Sequence, residues 1–244
     1  MAKHQSLHRN ARAHCGVGLI ADLNGDPTHD TIRDGLKILA NLDHRSARGA
    51  EHNTGDGAGV LIQKPHEFFV SQVDGLGDFD DYGVGMVFFP MQVAARDQLV
   101  AMMEKICLQQ NFEIVAWREV PTDNSNLGAT ALTGEPLVEQ FFVKPMRPIS
   151  AKQLDANLFI LRRQIEKKAE SLGYDDGRFY ICSLDRRKIV YKGMLTCNQV
   201  KSYYLELSDE RVTSSLILVH SRFSTNTLGA WDLAHPYRTL VHNG

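Results

Sequence analysis

The sequence lacks the patterns that mark a membrane protein, a secreted disulfide scaffold or a zinc protein. No apolar run approaches the length that spans a bilayer, which is about 20 residues. Residues 1–14 have no apolar centre like that of a secretory signal. The four cysteines include no C-x-x-C pair, and the histidines show no paired ligand spacing. We therefore expect no membrane segment, disulfide framework or metal site, and we predict a reducing compartment, the cytoplasm.

An excess of positive charge is also missing. The chain carries 27 Lys and Arg against 29 Asp and Glu, which gives a formal net charge of −2, and no long basic run offsets this balance. Nucleic acid and anionic membranes attract proteins through such runs. We therefore expect neither nucleic acid nor membrane among the partners, and small molecules become the favoured ligands.

No internal repeat, low-complexity segment or clear interdomain linker divides the 244 residues. The Gly- and Asp-rich stretch 74–81 is the weakest point. The hydrophobic share of 43% and the charged share of 23% are ordinary for a globular protein. The length suffices for one large domain or two small ones, with a sizeable core.

Residues 1–14 form a short basic leader with Lys3, Arg9 and Arg12 and no acidic residue. An organellar transit peptide would be longer and richer in hydroxyl residues. The composition favours a disordered tail or a removable pro-segment. The domain organisation that follows from this is a leader over 1–14 and a folded region that starts at residue 15.

Cys15 stands where this leader meets Gly-Val-Gly-Leu-Ile, which is typical of a strand. Removal of the leader would leave Cys15 with a free α-amine, which titrates near pH 8 and can accept the thiol proton. One residue would then supply both nucleophile and general base. The competing interpretation is a small buried hydrophobe, which is the commoner role for a lone cysteine at a strand start.

Periodicity and turn signals predict an alternation of helices and strands. Helices are expected over 31–43, 93–109 and 150–171, and a short helix is expected over 196–203. Ser150 is the predicted N-cap of the helix over 150–171. Strands are expected over 16–22, 60–63, 82–90, 113–120, 137–143, 179–184, 189–193, 215–219 and 237–241. The strands 179–184 and 189–193 flank a short polar turn and are predicted to form a hairpin.

The segment 43–59 is polar and rich in glycine, and it leads into the strand at 60–63. It lacks the G-K-[ST] sequence of a phosphate loop, and its glycines precede a strand and not a helix. A nucleotide loop is therefore not indicated. Two interpretations stay open, a flexible surface loop and a loop whose backbone closely approaches a bound group.

Polar groups follow two predicted strands near the end of the chain. Arg222 lies just after the strand 215–219, and a guanidinium provides a planar fork for a carboxylate. Asn243 and the amide of Gly244 follow the strand 237–241 and provide two uncharged donors, as in an oxyanion hole. Taken singly, Arg222 is more often a surface or salt-bridge arginine and Asn-Gly more often a turn.

Five motifs together resemble the N-terminal glutaminase domain of the class II glutamine amidotransferases, and within that class the glutamate synthase large subunits. They are Cys15-Gly16-Val17-Gly18-Leu19, Leu42-Asp43-His44-Arg45, Thr54-Gly55-Asp56-Gly57-Ala58-Gly59, His220-Ser221-Arg222-Phe223-Ser224-Thr225-Asn226-Thr227 and His242-Asn243-Gly244. The resemblance covers residues 15–244. It implies an α/β N-terminal-nucleophile hydrolase fold with four layers, αββα, in which two antiparallel sheets are stacked between helices.

The resemblance also implies a role for each site residue. Cys15 is the catalytic nucleophile once the leader is cut, with its own α-amine as base. Arg222 binds the α-carboxylate of glutamine, and Thr225 assists it. Asn243 and Gly244 form the oxyanion hole. The implied enzyme is a glutamine amidotransferase (glutaminase) that releases glutamate and ammonia without a metal.

In the parent enzymes that ammonia serves glutamate synthesis from 2-oxoglutarate, at a separate site with FMN and an iron–sulfur cluster. No cofactor is expected in this chain itself. Ser46 stands where the family usually has glycine, and the chain stops at Gly244, before an acidic residue that binds the substrate α-amino group.

We therefore expect a partial domain over 15–244, C-terminally incomplete, from a glutamate synthase large subunit. Its partners would be glutamine and the remaining domains or the small subunit of that enzyme. Two alternatives stay open, an inactive truncated module and a stand-alone amidotransferase subunit that feeds partner chains.

Overall fold

A computed structural model of the chain describes residues 16–46, 51–222 and 229–239. The strands are β1 Gly16–Ala21, β2 Ala58–Gln63, β3 Gly83–Phe89, β4 Phe112–Glu119, β5 Leu137–Pro145, β6 Tyr180–Asp185, β7 Lys188–Gly193 and β8 Leu216–Ser221. The α-helices are α1 His29–Asn41, α2 His66–Val70, α3 Val93–Gln109, α4 Ala129–Thr133, α5 Ala151–Ser171 and α6 Gln199–Tyr203. None of these helices combines the length and the apolar composition that a bilayer crossing requires.

The long helices begin where side chains cap them. The Ser150 hydroxyl accepts the amide hydrogen of Gln153 at 3.3 Å, and the Gln153 side chain accepts that of Ser150 at 2.9 Å. This reciprocal pair satisfies two amides that have no partner inside helix α5. Thr28 caps α1 in a similar way, through a 3.3 Å bond from the Thr31 amide. The predicted helices are confirmed, with α3 matching its predicted bounds.

The eight strands form two antiparallel sheets of four. The first sheet has the order β1-β8-β2-β7, and the second has the order β4-β5-β3-β6. One hydrophobic core joins the two sheets and α1. Its members from the strands include Val60, Ile62, Tyr191, Met86, Phe88 and Phe142.

A second apolar cluster lies between the second sheet and the two longest helices. Its members include Val87, Phe89 and Phe141 from the sheet, Leu99 and Met103 from α3, and Leu158 and Ile165 from α5. Helix α1 packs against β1 and β8 of the first sheet. Two stacked antiparallel sheets with helices packed against them confirm the predicted α/β fold class.

The predicted hairpin over 179–193 is wrong. Strand β6 pairs with β3 in the second sheet, whereas β7 pairs with β2 in the first. The connection turns on Asp185, whose Oδ1 accepts the amide hydrogens of Arg187 at 2.8 Å and Lys188 at 3.3 Å. Arg186 is buried and donates from Nε to Asp155 on α5 at 2.9 Å. A short polar turn suits both a hairpin and a crossover between sheets, so local sequence cannot distinguish them.

The predicted strand over 237–241 is also wrong in the part that can be judged. Residues 237–239 have no strand conformation, and 240–241 lie outside the described ranges. Side chains hold this segment instead. Arg238 donates from Nη2 to Glu166 Oε1 at 3.1 Å and to the Ile181 carbonyl.

One row of apolar side chains on the first sheet is open to solvent. Leu19 of β1 is 62% exposed, and it lies in register with the half-buried Leu218 and, one strand further, Leu61. Strand β1 is also an edge strand of this sheet among the described strands. The outer part of the first sheet therefore presents apolar surface.

Candidate active site

The candidate site lies at one end of the first sheet, where four strands meet in register. Gly16 at the start of β1 pairs with Ser221 at the end of β8, and Ser221 pairs with Ala58 at the start of β2. Ala58 in turn pairs with Gly193 at the end of β7. This row brings together the residue after Cys15, the residue before Arg222 and the end of the glycine-rich segment.

Of the predicted site residues, Arg222 lies within the described ranges. Cys15, Thr225, Asn243 and Gly244 lie outside the described residues. Their roles therefore stay predictions, and the geometry of the site is built from Arg222 and its described neighbours.

Arg222 is buried at 6% exposure. Both its backbone and its side chain form hydrogen bonds with the glycine-rich segment. Its amide hydrogen is donated to the Gly57 carbonyl at 2.8 Å. Its Nη1 donates to the Asp56 carbonyl at 3.0 Å and also to the Asp56 carboxylate, with which it forms a buried ion pair. Arg222 is thus not a surface arginine, because its guanidinium is desolvated and oriented by a charged partner.

Asp56 is a site residue that the sequence analysis did not identify. It was noted only as part of the glycine-rich motif, and its side chain is 8% exposed. The sequence did offer one signal of a buried carboxylate, because Asp56 stands between two glycines in a segment that leads into a buried strand. Such a residue is seldom buried without a cationic partner.

The glycines of this segment permit close contact with the chain's own backbone. A Cβ on Gly55 would lie 2.1 Å from the Leu195 carbonyl oxygen, and a Cβ on Gly59 would lie 2.4 Å from that of Tyr191. Gly57 has a φ of +131°, which side chains rarely adopt, and it lies against Ala234. Residues 54–59 are buried, so this part of segment 43–59 is not a flexible surface loop, and Gly55 and Gly59 closely approach neighbouring backbone.

We predict that Gly55→Ala destabilises the fold by about 3 kcal/mol or more, because neither of the backbone segments in contact can move aside easily. Chemical denaturation measures this free energy of unfolding. Gly134→Ala is the matched control, since a Cβ there would meet Trp231 at an ordinary 3.5 Å. Equal stability losses in the two variants would contradict the packing of residues 54–59 described above.

The segment 229–239 covers the other side of the Asp56 loop. A Cβ on Gly229 would lie 3.4 Å from Asp56 Oδ1. The fully buried Lys192 of β7 donates from Nζ to the carbonyls of Asp232 at 2.7 Å and Ala234 at 2.8 Å. Burial lowers the pKa of Lys192 to about 8. Lys192 thus ties the segment that leads towards residues 242–244 to the first sheet.

A cavity of about 500 Å³ adjoins this arrangement, lined in part by Met194, Gly229 and Trp231. Gly229 also lies beside Asp56, since a Cβ there would meet the Asp56 carboxylate at 3.4 Å, so the cavity is close to the ion pair. Glu51 lines it too, and hydrogen bonds from Thr130 lower the pKa of that carboxyl group. The volume is in the range of pockets that bind small molecules.

The cysteines in the described ranges have no features of a reactive thiol. Cys107, Cys182 and Cys197 are buried and are not in disulfides. Burial raises their pKa to about 12, 12 and 11 respectively. A thiol with such a pKa stays protonated at neutral pH and is a poor nucleophile.

Comparisons with known proteins show the family of the chain. Residues 15–244 match the family described as class-II glutamine amidotransferases. The NADPH glutamate synthase large chain of Bacillus subtilis is 40% identical over 249 residues, which cover 100% of this chain and 16% of that protein. Ferredoxin-dependent glutamate synthase 2 of Synechocystis is 39% identical over 234 residues, covering 94% of this chain and 15% of that protein. The chain thus spans 15–16% of the length of these curated relatives.

Proposed function

The chain belongs to the class II glutamine amidotransferases, and on that basis we propose that it hydrolyses glutamine to glutamate and ammonia with Cys15 as an N-terminal nucleophile. The observation that carries the proposal is the pairing of Gly16 with Ser221. Cys15 is bonded to Gly16 and Arg222 to Ser221, and adjacent Cα atoms lie about 3.8 Å apart. The residues bonded to the two predicted site residues, Gly16 and Ser221, are therefore partners in one antiparallel strand pair.

In the proposed reaction, removal of residues 1–14 gives Cys15 a free α-amine. This amine takes the thiol proton, and the thiolate attacks the side-chain amide carbon of glutamine. The resulting oxyanion accepts hydrogen bonds from the Asn243 side chain and the Gly244 amide. The amine then gives its proton to the departing ammonia, and water hydrolyses the remaining thioester to glutamate.

Arg222 would bind the α-carboxylate of glutamine, with Thr225 assisting. The burial of its guanidinium supports this role, because a carboxylate pairs more strongly with a cation that is shielded from water. The cavity lined by Met194, Gly229 and Trp231 has room for an amino acid of this size; its described lining does not include Arg222 or Asp56.

The wider role rests on the relatives, whose names describe glutamate synthases with NADPH or ferredoxin. We propose that the ammonia serves glutamate synthesis from 2-oxoglutarate, in other domains of a larger polypeptide or in a partner subunit in the cytoplasm. FMN and an iron–sulfur cluster would belong to those parts and would carry out the reduction there. In ranges 16–46, 51–222 and 229–239, no group of three potential ligands is placed to hold a metal ion.

The proposal is tested by incubating the purified protein with glutamine and measuring glutamate and ammonia. Mass spectrometry of the active protein is expected to show an N-terminus at Cys15. Turnover by protein that keeps residues 1–14 would show that the α-amine is not the base. Absence of turnover, in protein that starts at Cys15 and is folded, would favour the non-catalytic module.

A further inference from the structure

Asp56 provides the carboxylate that holds Arg222, although no role was predicted for it. Its carbonyl and its carboxylate both accept from Nη1 of Arg222. A guanidinium has five N–H donors on three nitrogens. The contacts with Asp56 therefore act on one of the three nitrogens and limit how the guanidinium can turn.

Asp56 is itself held firmly. Gly55 on one side lies against the backbone of Leu195, and Gly57 on the other lies against Ala234. Gly57 also accepts the Arg222 amide hydrogen at 2.8 Å. Backbone and side chain of Arg222 are thus tied to two successive residues of one rigid segment, so the guanidinium has little freedom to reorient.

We propose that Asp56 is a positioning residue that keeps the Arg222 guanidinium charged, buried and oriented for the α-carboxylate of the substrate. This inference rests on the proposed function, because it takes Arg222 as the group that binds that carboxylate. Two physical reasons support it. A buried cation without a partner is costly, and a pre-oriented fork binds a carboxylate without first losing side-chain freedom.

Asp56 and a substrate carboxylate carry the same charge. A competing arrangement, in which Asp56 occupies the place of the substrate on Arg222, is therefore also physically possible. If Asp56 occupied the substrate's place on Arg222, removal of its charge would tighten glutamine binding. If Asp56 positions Arg222, removal of its charge would weaken binding. The sign of the change in affinity therefore decides between the two.

The test compares Asp56→Asn with the unchanged protein, using two reagents that alkylate the Cys15 thiol. One is 6-diazo-5-oxo-L-norleucine, which carries the α-carboxylate of glutamine, and the other is iodoacetamide, which lacks it. We expect the rate of inactivation by the first to fall at least about tenfold, and the rate with iodoacetamide to change less than about twofold. We also expect KM for glutamine to rise by a larger factor than kcat falls.

Faster or unchanged inactivation by the glutamine analogue in Asp56→Asn would overturn the proposal, and so would equal slowing with both reagents. Failure of the proposed function looks different, because the unchanged protein would then not be labelled at Cys15 by the analogue. Glu139→Gln is the matched control, since it removes a buried carboxylate that pairs with Arg96 at 2.8 Å in the second sheet. It is expected to leave both inactivation rates unchanged.

A double variant keeps the test decisive if Asp56→Asn folds poorly. Asp56→Asn with Arg222→Gln removes both charges and leaves neither buried alone. If Asp56 acts through Arg222, this double variant reacts with the glutamine analogue no more slowly than Arg222→Gln alone. Additive losses would show that Asp56 acts independently of Arg222 and would overturn the proposal.

Discussion

Replacing Cys15 by alanine is expected to lower kcat for glutamine hydrolysis by at least about 10⁴-fold, because the reaction loses its nucleophile. The fold should persist, since this change removes one small side chain. Glutamate production by Cys15→Ala and by the unchanged protein, at equal concentration of folded protein, measures the effect.

Cys107→Ala is the matched control for this variant. Cys107 is buried on α3, on the far side of the second sheet from the site, and its raised pKa keeps the thiol protonated. We expect this variant to lose some stability and to keep its activity. Iodoacetamide at about pH 8 should label Cys15 and spare the buried thiols of Cys107, Cys182 and Cys197 in the folded protein. Full activity in Cys15→Ala would rule out the cysteine mechanism.

Arg222→Lys is expected to lower kcat/KM for glutamine by about 10²- to 10³-fold, mainly through a higher KM. Lysine keeps the positive charge, but its ammonium group lacks the planar fork of the guanidinium. One ammonium cannot hold both the Asp56 contacts and a substrate carboxylate in the same geometry. Steady-state kinetics with glutamine separates the KM effect from the kcat effect.

Arg96→Lys serves as its control. Arg96, like Arg222, forms an ion pair with a buried carboxylate. Its Nε and Nη2 donate to the two Glu139 carboxylate oxygens at 2.8 and 2.9 Å. This pair lies where α3 packs on the second sheet, so its loss should reduce stability and leave KM for glutamine unchanged. A normal KM in Arg222→Lys would contradict the assignment of Arg222 to the α-carboxylate.

Sequence reasoning succeeded where the signal is local. The periodicity of apolar residues over 93–109 predicted α3 with its observed bounds, and the Ser150 cap marked the start of α5. Each signal needs only residues within a few turns of one helix. The family was also recognisable, because its motifs are short runs of chemically specific residues.

The candidate site was predicted less completely. Arg222 was identified as a carboxylate-binding group, but its buried partner Asp56 was not, although both lie in recognised motifs. Lys192 was read only as part of a strand, yet it ties down the segment 232–234. In each case the missing information was which distant part of the chain lies opposite the side chain.

The sequence alone therefore determined the helix and strand inventory over most of the chain and the family to which it belongs, since both depend on neighbouring residues. Tertiary structure alone decided that β6 and β7 join different sheets, and that Asp56 meets Arg222 across 166 positions of sequence. The physical reason is that such pairings depend on how whole layers pack, because burial of the shared core selects one arrangement among several that the local sequence allows equally well.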